Sequence, residues 1–121
     1  MRRRNKFNVG TSKKSKVDRT VDSIVFMSKK EAKRYIELKK LQKKGHIKYL
    51  ELQPRFVLQE AFIDNEGNKH RKIEYVADFK YYDKGANRLY VEDTKGFKTD
   101  IYKIKKKLFL YSHRDFIFRE S

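Results

Sequence analysis

Apolar residues recur at helical spacing in one early part of the chain. Between Ser28 and Gly45 they fit one face of a helix, formed by Ala32, Tyr35, Ile36, Leu38 and Leu41. Ser28 is a suitable N-cap, Glu31 stands three positions later as the partner in a capping box, and Gly45 suits the end of a helix. The pattern therefore predicts a helix at residues 28–45, preceded by a short apolar strand at 23–27.

The apolar period changes to two in the middle of the chain, which indicates strands. Residues 49–63 and 71–82 are predicted to form two strands joined by a hairpin turn at 65–67. Residues 88–95 form the predicted third strand. Alternation in the second strand predicts one apolar face, formed by Ile73, Tyr75, Ala77, Phe79 and Tyr81.

Helical spacing returns in the last part of the chain. Thr99 is the expected N-cap of a helix at 99–113, whose apolar stripe is Ile101, Ile104, Leu108 and Tyr111. Residues 115–120 are predicted to form a last strand. The order helix, three strands, helix, strand predicts a single layered α/β domain, which we place at residues 20–121.

Composition adds a strong positive charge to this picture. The chain has 32 Lys and Arg against 16 Asp and Glu, for a formal net charge of +16. Such a field attracts polyanions, so nucleic acid is the expected partner and an anionic membrane surface is the main rival. Residues 1–19 are predicted to form a flexible basic arm that binds DNA through Arg2, Arg3, Arg4, Lys13 and Lys14.

The sequence also excludes several kinds of site. It contains no cysteine, and its three histidines are scattered, so any metal must be held by oxygen atoms. No run approaches the roughly 20 apolar residues of a membrane span, and the N-terminus lacks the apolar region of a signal peptide. We therefore expect a cytoplasmic protein without a membrane partner.

Carboxylates at the ends of two predicted strands supply candidate chemistry. Asp93 and Lys95 lie two positions apart and therefore face the same side, about 6.6 Å from each other, while Glu92 faces away. Asp78 interrupts the apolar run of the preceding strand and can share a divalent cation with Asp93 if the strands are neighbours. Such a set suits Mg²⁺-assisted phosphodiester hydrolysis. Each residue alone also has an ordinary structural explanation, as Glu31 has in the capping box.

The segments SKKEAKRY, YVADF and VEDTKG, in that order, resemble the PD-(D/E)XK nuclease superfamily. More narrowly, the chain from about residue 22 to 120 is similar to small phage and prophage proteins of poorly described function within it. The resemblance implies a restriction-endonuclease-like αβββαβ core, in which helices flank a central mixed sheet. It also implies that Glu31, Asp78 and Asp93 hold Mg²⁺ and that Lys95 completes the catalytic set. Ala77 stands in place of the proline, which supplies no ligand.

The activity implied by this resemblance is Mg²⁺-dependent DNA endonuclease, with Mn²⁺ able to substitute. Small basic members of the superfamily include Holliday-junction resolvases, which are dimers. We therefore expect a homodimer that cuts branched or junction DNA during phage recombination or replication, in the cytoplasm of a bacterial host. Lys105 lies among the apolar directions of the last helix and is a further candidate DNA contact, although a lysine there commonly snorkels to solvent.

Two other functions remain open at this stage. A non-catalytic nucleic-acid-binding protein on the same fold would bind DNA in a salt-sensitive way and would not cut it. A basic ribosome-associated or membrane-surface protein would explain the charge alone, but it leaves Asp78 without a role.

Overall fold

The computed structural model describes residues 13–94 and 98–121, with side chains from residue 16 onward. The helices in these ranges are α1 (Lys13–Asp18), α2 (Lys29–Lys43) and α3 (Asp100–Ser112). The first strands are β1 (Thr20–Val21), β2 (Ile24–Val25), β3 (Ile47–Leu52), β4 (Arg55–Gln59) and β5 (Phe62–Ile63). The others are β6 (Lys69–His70), β7 (Ile73–Val76), β8 (Phe79–Asp83), β9 (Arg88–Asp93) and β10 (Phe116–Glu120).

A mixed sheet forms the centre of the fold. Its strand order is β10-β9-β8-β3, in which β10 runs parallel to β9 and the other neighbours are antiparallel. Strands β4 and β7 form a separate ribbon, with β5 and β6 paired beyond it. The chain therefore runs α2, β3, β8, β9, α3, β10, with the ribbon inserted between β3 and β8. This confirms the predicted mixed α/β architecture.

Helix α2 covers one face of the sheet, and its predicted start is confirmed. The Ser28 hydroxyl accepts a hydrogen bond from the Glu31 N–H at 3.1 Å, and Gly45 follows the helix with a φ of 84°. Its buried side packs into a cluster that comprises Phe26, Ala32, Tyr35, Leu38, Ile47, Phe79 and Tyr81. This cluster fixes α2 against β3 and β8.

Helix α3 packs through aromatic residues on the opposite face of the sheet. The second cluster comprises Phe56, Tyr75, Ala77, Val91, Tyr102 and Phe109. Phe79 pairs with Glu92 in the antiparallel register, so Val91, one position before Glu92, faces away from Phe79. The two clusters therefore lie on opposite sides of the sheet.

The predicted long strands are interrupted, which corrects the prediction of one continuous apolar face. Residues 71–82 bend at Asp78, so Tyr75 packs in the α3 cluster and Tyr81 in the α2 cluster. Residues 49–63 break at Gln53, which has a φ of 51°, and at Pro54, which has no N–H for a ladder. The Gln53 N–H donates to the Asp78 carbonyl at 2.9 Å. This hydrogen bond joins the two positions at which the predicted strands are interrupted.

The predicted apolar stripe of α3 is wrong. Ile101, Ile104, Leu108 and Tyr111 are all exposed, with exposed fractions from 44% to 72%. Tyr102 and Phe109 are buried in their place. They are also separated by seven residues, so they form a second helical stripe, and their rings cover more area than aliphatic side chains.

We expect Ile101→Gln and Ile104→Gln together to change the free energy of unfolding by less than about 1 kcal/mol, because exposed sites contribute little. Urea unfolding of the parent and the double variant measures this difference. A loss well above that value would show that this face is covered in solution.

The structure describes residues 13–19 of the predicted basic arm. Residues 13–18 form α1, and Arg19 is buried, with its Nε donating to the Phe26 carbonyl at 2.7 Å. The predicted DNA contacts Arg2, Arg3 and Arg4 lie outside the described residues, whereas Lys13 and Lys14 belong to α1. No helix within residues 13–94 and 98–121 has the length and apolar character needed to cross a membrane.

Candidate metal site

Asp78 and Asp93 lie side by side at the ends of β8 and β9. Phe79 pairs with Glu92, and the Asp78 N–H donates to the Glu92 carbonyl at 3.1 Å, so Asp78 adjoins the end of β9 that carries Asp93. The prediction that the two strands are neighbours is therefore confirmed.

The Asp78 carboxylate is oriented by the residue that follows β9. Its Oδ2 accepts a hydrogen bond from the Thr94 N–H at 2.7 Å and another from the Thr94 hydroxyl at 2.8 Å. Within the described residues no hydrogen-bond donor reaches Oδ1 of Asp78, and the side chain is half-buried. One oxygen of Asp78 is thus held by two hydrogen bonds from the protein.

Asp93 is fully buried beside Tyr75. The Tyr75 hydroxyl donates a hydrogen bond to Oδ2 of Asp93. Burial raises the pKa of Tyr75 well above its usual value, and the charge of Asp93 and the nearby Asp78 raise it further. The phenol therefore stays protonated, and it is close enough to interact electrostatically with both carboxylates.

A third carboxylate, Glu120, lies on the parallel neighbour of β9, and sequence reasoning missed it. Glu120 pairs with Asp93 in the register of β10 and β9, so the two residues share a face. The Tyr102 hydroxyl donates to Oε2 of Glu120 at 2.6 Å, and Lys98 and Lys106 both approach its oxygens to 3.1 Å. The only available signal was the acid at the end of the last strand, in FIFRE.

The stability contributed by Glu120 should depend on pH. Hydrogen bonds from Tyr102, Lys106 and Lys98 lower the pKa of Glu120 to about 2. Its contribution is therefore complete above the unfolded pKa of about 4.3 and is lost as the pH falls toward 2. We expect Glu120→Gln to flatten the pH dependence of unfolding in that window, by about 1 kcal/mol at most because both lysines are partly exposed.

Urea unfolding of the parent and of Glu120→Gln at a series of pH values between about 2 and 5 isolates this contribution. Other acids titrate equally in both proteins, so only the difference between the two curves reports on Glu120. Parallel curves would contradict the assignment.

Glu92 faces the other side of β9, as predicted, and is part of a buried ion pair. Arg34 donates to both carboxylate oxygens, at 2.5 and 3.0 Å, and the hydroxyls of Tyr81 and Ser121 donate at 2.8 and 2.9 Å. Burial alone would raise the pKa of Glu92, but these hydrogen bonds lower it below its usual value. Glu92 is therefore ionised and has a structural role.

The remaining predicted site residues are only partly brought together. Glu31 is buried in the first turn of α2, one helical turn before Arg34. Lys95 lies outside the described residues. In α3 it is Lys106 that binds Glu120 and lies 4.8 Å from the Phe118 ring centroid, while Lys105 is half-buried. Within residues 13–94 and 98–121 no group of three His, Cys, Asp or Glu side chains is arranged to hold a metal ion.

The donor set fits a hard divalent cation. Asp78 and Asp93 supply carboxylate oxygens at adjoining strand ends, which are the ligands Mg²⁺ prefers, and Mg²⁺ commonly keeps waters for its other positions. A cavity of about 230 Å³ opens beside Glu120, lined by Lys98, Tyr102, Lys103, Lys106, Lys107, Leu110 and Glu120. Asp78 and Asp93 do not line this cavity, and Lys98 and Lys106 in its lining are paired with Glu120.

Comparison with known proteins gives one match. A family model described as "Protein of unknown function (DUF1064)" matches residues 11–120. Neither the curated proteins nor the solved structures contain a match to this chain.

Proposed function

The chain belongs to this family of proteins of unknown function, and we propose that it is a Mg²⁺-dependent DNA endonuclease of the PD-(D/E)XK type. The observation that carries the proposal is that Asp78, just before β8, adjoins the end of β9 that carries Asp93. Orientation of Asp78 by Thr94 adds to it, because a ligand held by two hydrogen bonds requires little reorganisation when it binds a cation.

The fold is consistent with this proposal. The order α2, β3, β8, β9, α3, β10, with the β4–β7 ribbon as an insertion, supports the proposal because the proposed restriction-endonuclease-like core has the order αβββαβ. In the proposed site Asp78 and Asp93 hold Mg²⁺, Glu31 adds an acid from α2, and Lys95 completes the set. A bound Mg²⁺, or Mn²⁺ in its place, supplies the Lewis acid for phosphodiester hydrolysis.

Charge supports DNA as the substrate. The net charge of +16 favours a polyanion as the partner. Within the proposal the substrate is branched or junction DNA, the protein acts as a homodimer, and the role is phage recombination or replication in the bacterial cytoplasm. Lys105 and the N-terminal basic residues would contact the DNA backbone.

A second candidate function is DNA binding without cleavage. The observation that favours it is the closed environment of Asp93, which is fully buried and accepts a hydrogen bond from Tyr75. A metal ligand has to expose at least one oxygen to its ion, so this function predicts binding that no divalent cation converts into cleavage.

Incubation with DNA in the presence of Mg²⁺ or Mn²⁺ separates the two functions. The substrates are duplex, single-stranded and four-way-junction DNA of equal length, with EDTA as the control. Cleavage that requires the metal supports the nuclease. Binding to all three DNAs with no cleavage in either metal supports the second function.

A further inference from the structure

A second cavity, of about 480 Å³, lies along α2. Its apolar wall includes Val21, Ile36 and the ring of Tyr35, and Lys39, Lys40 and Lys43 line it as well. The acid in the lining is Asp22, which accepts a hydrogen bond from the Tyr35 hydroxyl at 2.8 Å. A wall of carbon atoms beside three ammonium groups suits a ligand with an apolar body and phosphates.

The three lysines of this cavity have no acidic partner within the described residues. Lys39 lies 6.0 Å from the centroid of the Tyr35 ring. By contrast, Lys80 is paired with Glu51, and Lys98 and Lys106 with Glu120. Three ammonium groups stand against one carboxylate in the lining, Asp22, so this cavity has a net positive charge that favours an anion.

The lysines continue along one side of α2 toward its first turn, where Glu31 lies. Lys29, Lys33, Lys40 and Lys43 are spaced by four, seven and three residues, which places them on one side of the helix. Lys39 and Lys43 follow Glu31 by eight and twelve residues, or about 12 and 18 Å along the helix axis. One strand of a duplex carries a phosphate about every 3.4 Å along its axis, so these distances correspond to about four to five phosphates.

We propose that Lys39, Lys40 and Lys43, with the adjoining cavity, bind the backbone of a DNA strand about four to five phosphates from the scissile bond. The position of that bond rests on the proposed function, whereas the binding itself does not. The lysines contact phosphates, and the wall formed by Val21 and Ile36 packs against deoxyribose.

The test compares two triple variants of the full chain that have equal net charge. One is Lys39→Gln, Lys40→Gln and Lys43→Gln. The matched control is Lys30→Gln, Lys69→Gln and Lys84→Gln, which removes three exposed lysines outside the cavity. Fluorescence anisotropy with labelled duplex DNA in EDTA gives affinity as a function of salt, and urea unfolding shows that each variant is folded.

In the cavity variant we expect the slope of log affinity against log salt to fall by about 2.7, at 0.9 for each lost phosphate contact. Affinity near 0.1 M salt should then fall by about 10²- to 10³-fold. The control should change the slope by less than about one. Equal changes in the two variants, or no change in the cavity variant, would overturn the proposal.

Cleavage in Mg²⁺ is measured separately on the same proteins. If the parent cuts DNA, the cavity variant should raise KM at unchanged kcat, because it loses binding and not chemistry. If the parent does not cut DNA but the cavity variant shows the expected change in slope, the proposed nuclease function is wrong and the proposed DNA-binding site is supported. If the parent cuts DNA but the slope of the cavity variant is unchanged, the nuclease function is supported and the proposed DNA-binding site is wrong.

Discussion

Asp93→Asn is expected to lower the single-turnover rate of Mg²⁺-dependent DNA cleavage by at least about 10³-fold, while DNA binding in EDTA stays the same. Asparagine keeps the size of the side chain and an oxygen that can accept the Tyr75 hydrogen bond. It removes the negative charge that a divalent cation requires. Metal assistance contributes several kcal/mol to such reactions, and about 4 kcal/mol corresponds to the expected loss in rate.

Asp83→Asn is the matched control for this variant. Asp83 lies at the other end of β8, and its carboxylate accepts a hydrogen bond from the Ala86 N–H in the following turn. The chemical change is the same, but the site is remote from Asp78 and Asp93. Cleavage by this control should equal that of the parent. Equal cleavage by the parent and both variants would show that Asp93 is not part of the catalytic site.

Features with local signals could be predicted from the sequence. The starts of α2 and α3 follow from Ser28 and Thr99, whose side chains accept hydrogen bonds from N–H groups three residues later. The turn at Gly67 follows from a glycine with a φ of 87°. These signals depend on neighbours within a few residues, so they were sufficient to place the elements in order.

The face that a helix buries was not predictable from its spacing. In α3 two stripes satisfy helical periodicity, and one contains Ile101 and Leu108 while the other contains Tyr102 and Phe109. The choice depends on the partner surface, where Phe109 packs at 4.7 Å from the ring centroid of Phe56. Phe56 belongs to the inserted ribbon, which the sequence did not place against α3.

The part of the candidate site formed by Asp78 and Asp93 was predictable because it depends on a local connection. Asp78 and Asp93 are brought together by a hairpin connection, which keeps neighbours in sequence together in space. Glu120 reaches Asp93 through the crossover of α3 and the parallel pairing of β10, which no local pattern specifies. The partner of Glu92 was equally hidden, because Arg34 lies 58 residues away.

Replacement of Arg34 should have the largest effect on stability. We expect Arg34→Met to lower the free energy of unfolding by about 3–5 kcal/mol, because it leaves the charge of Glu92 buried without its main partner. The Glu92 side chain is fully buried and that of Arg34 is 18% exposed, so water cannot replace the guanidinium without opening the structure. Urea unfolding at neutral pH measures the loss.

Two further variants separate the buried ion pair from the loss of arginine packing. Glu37→Gln removes the exposed partner of the same guanidinium, at 3.0 Å, and should cost less than about 1 kcal/mol. Arg34→Met combined with Glu92→Leu removes both charges and should recover most of the stability, because apolar side chains can fill a buried ion-pair site. If the double variant is as unstable as Arg34→Met alone, the loss comes from packing. In that case the hydrogen bonds from Tyr81 and Ser121 are sufficient to stabilise the buried Glu92 carboxylate.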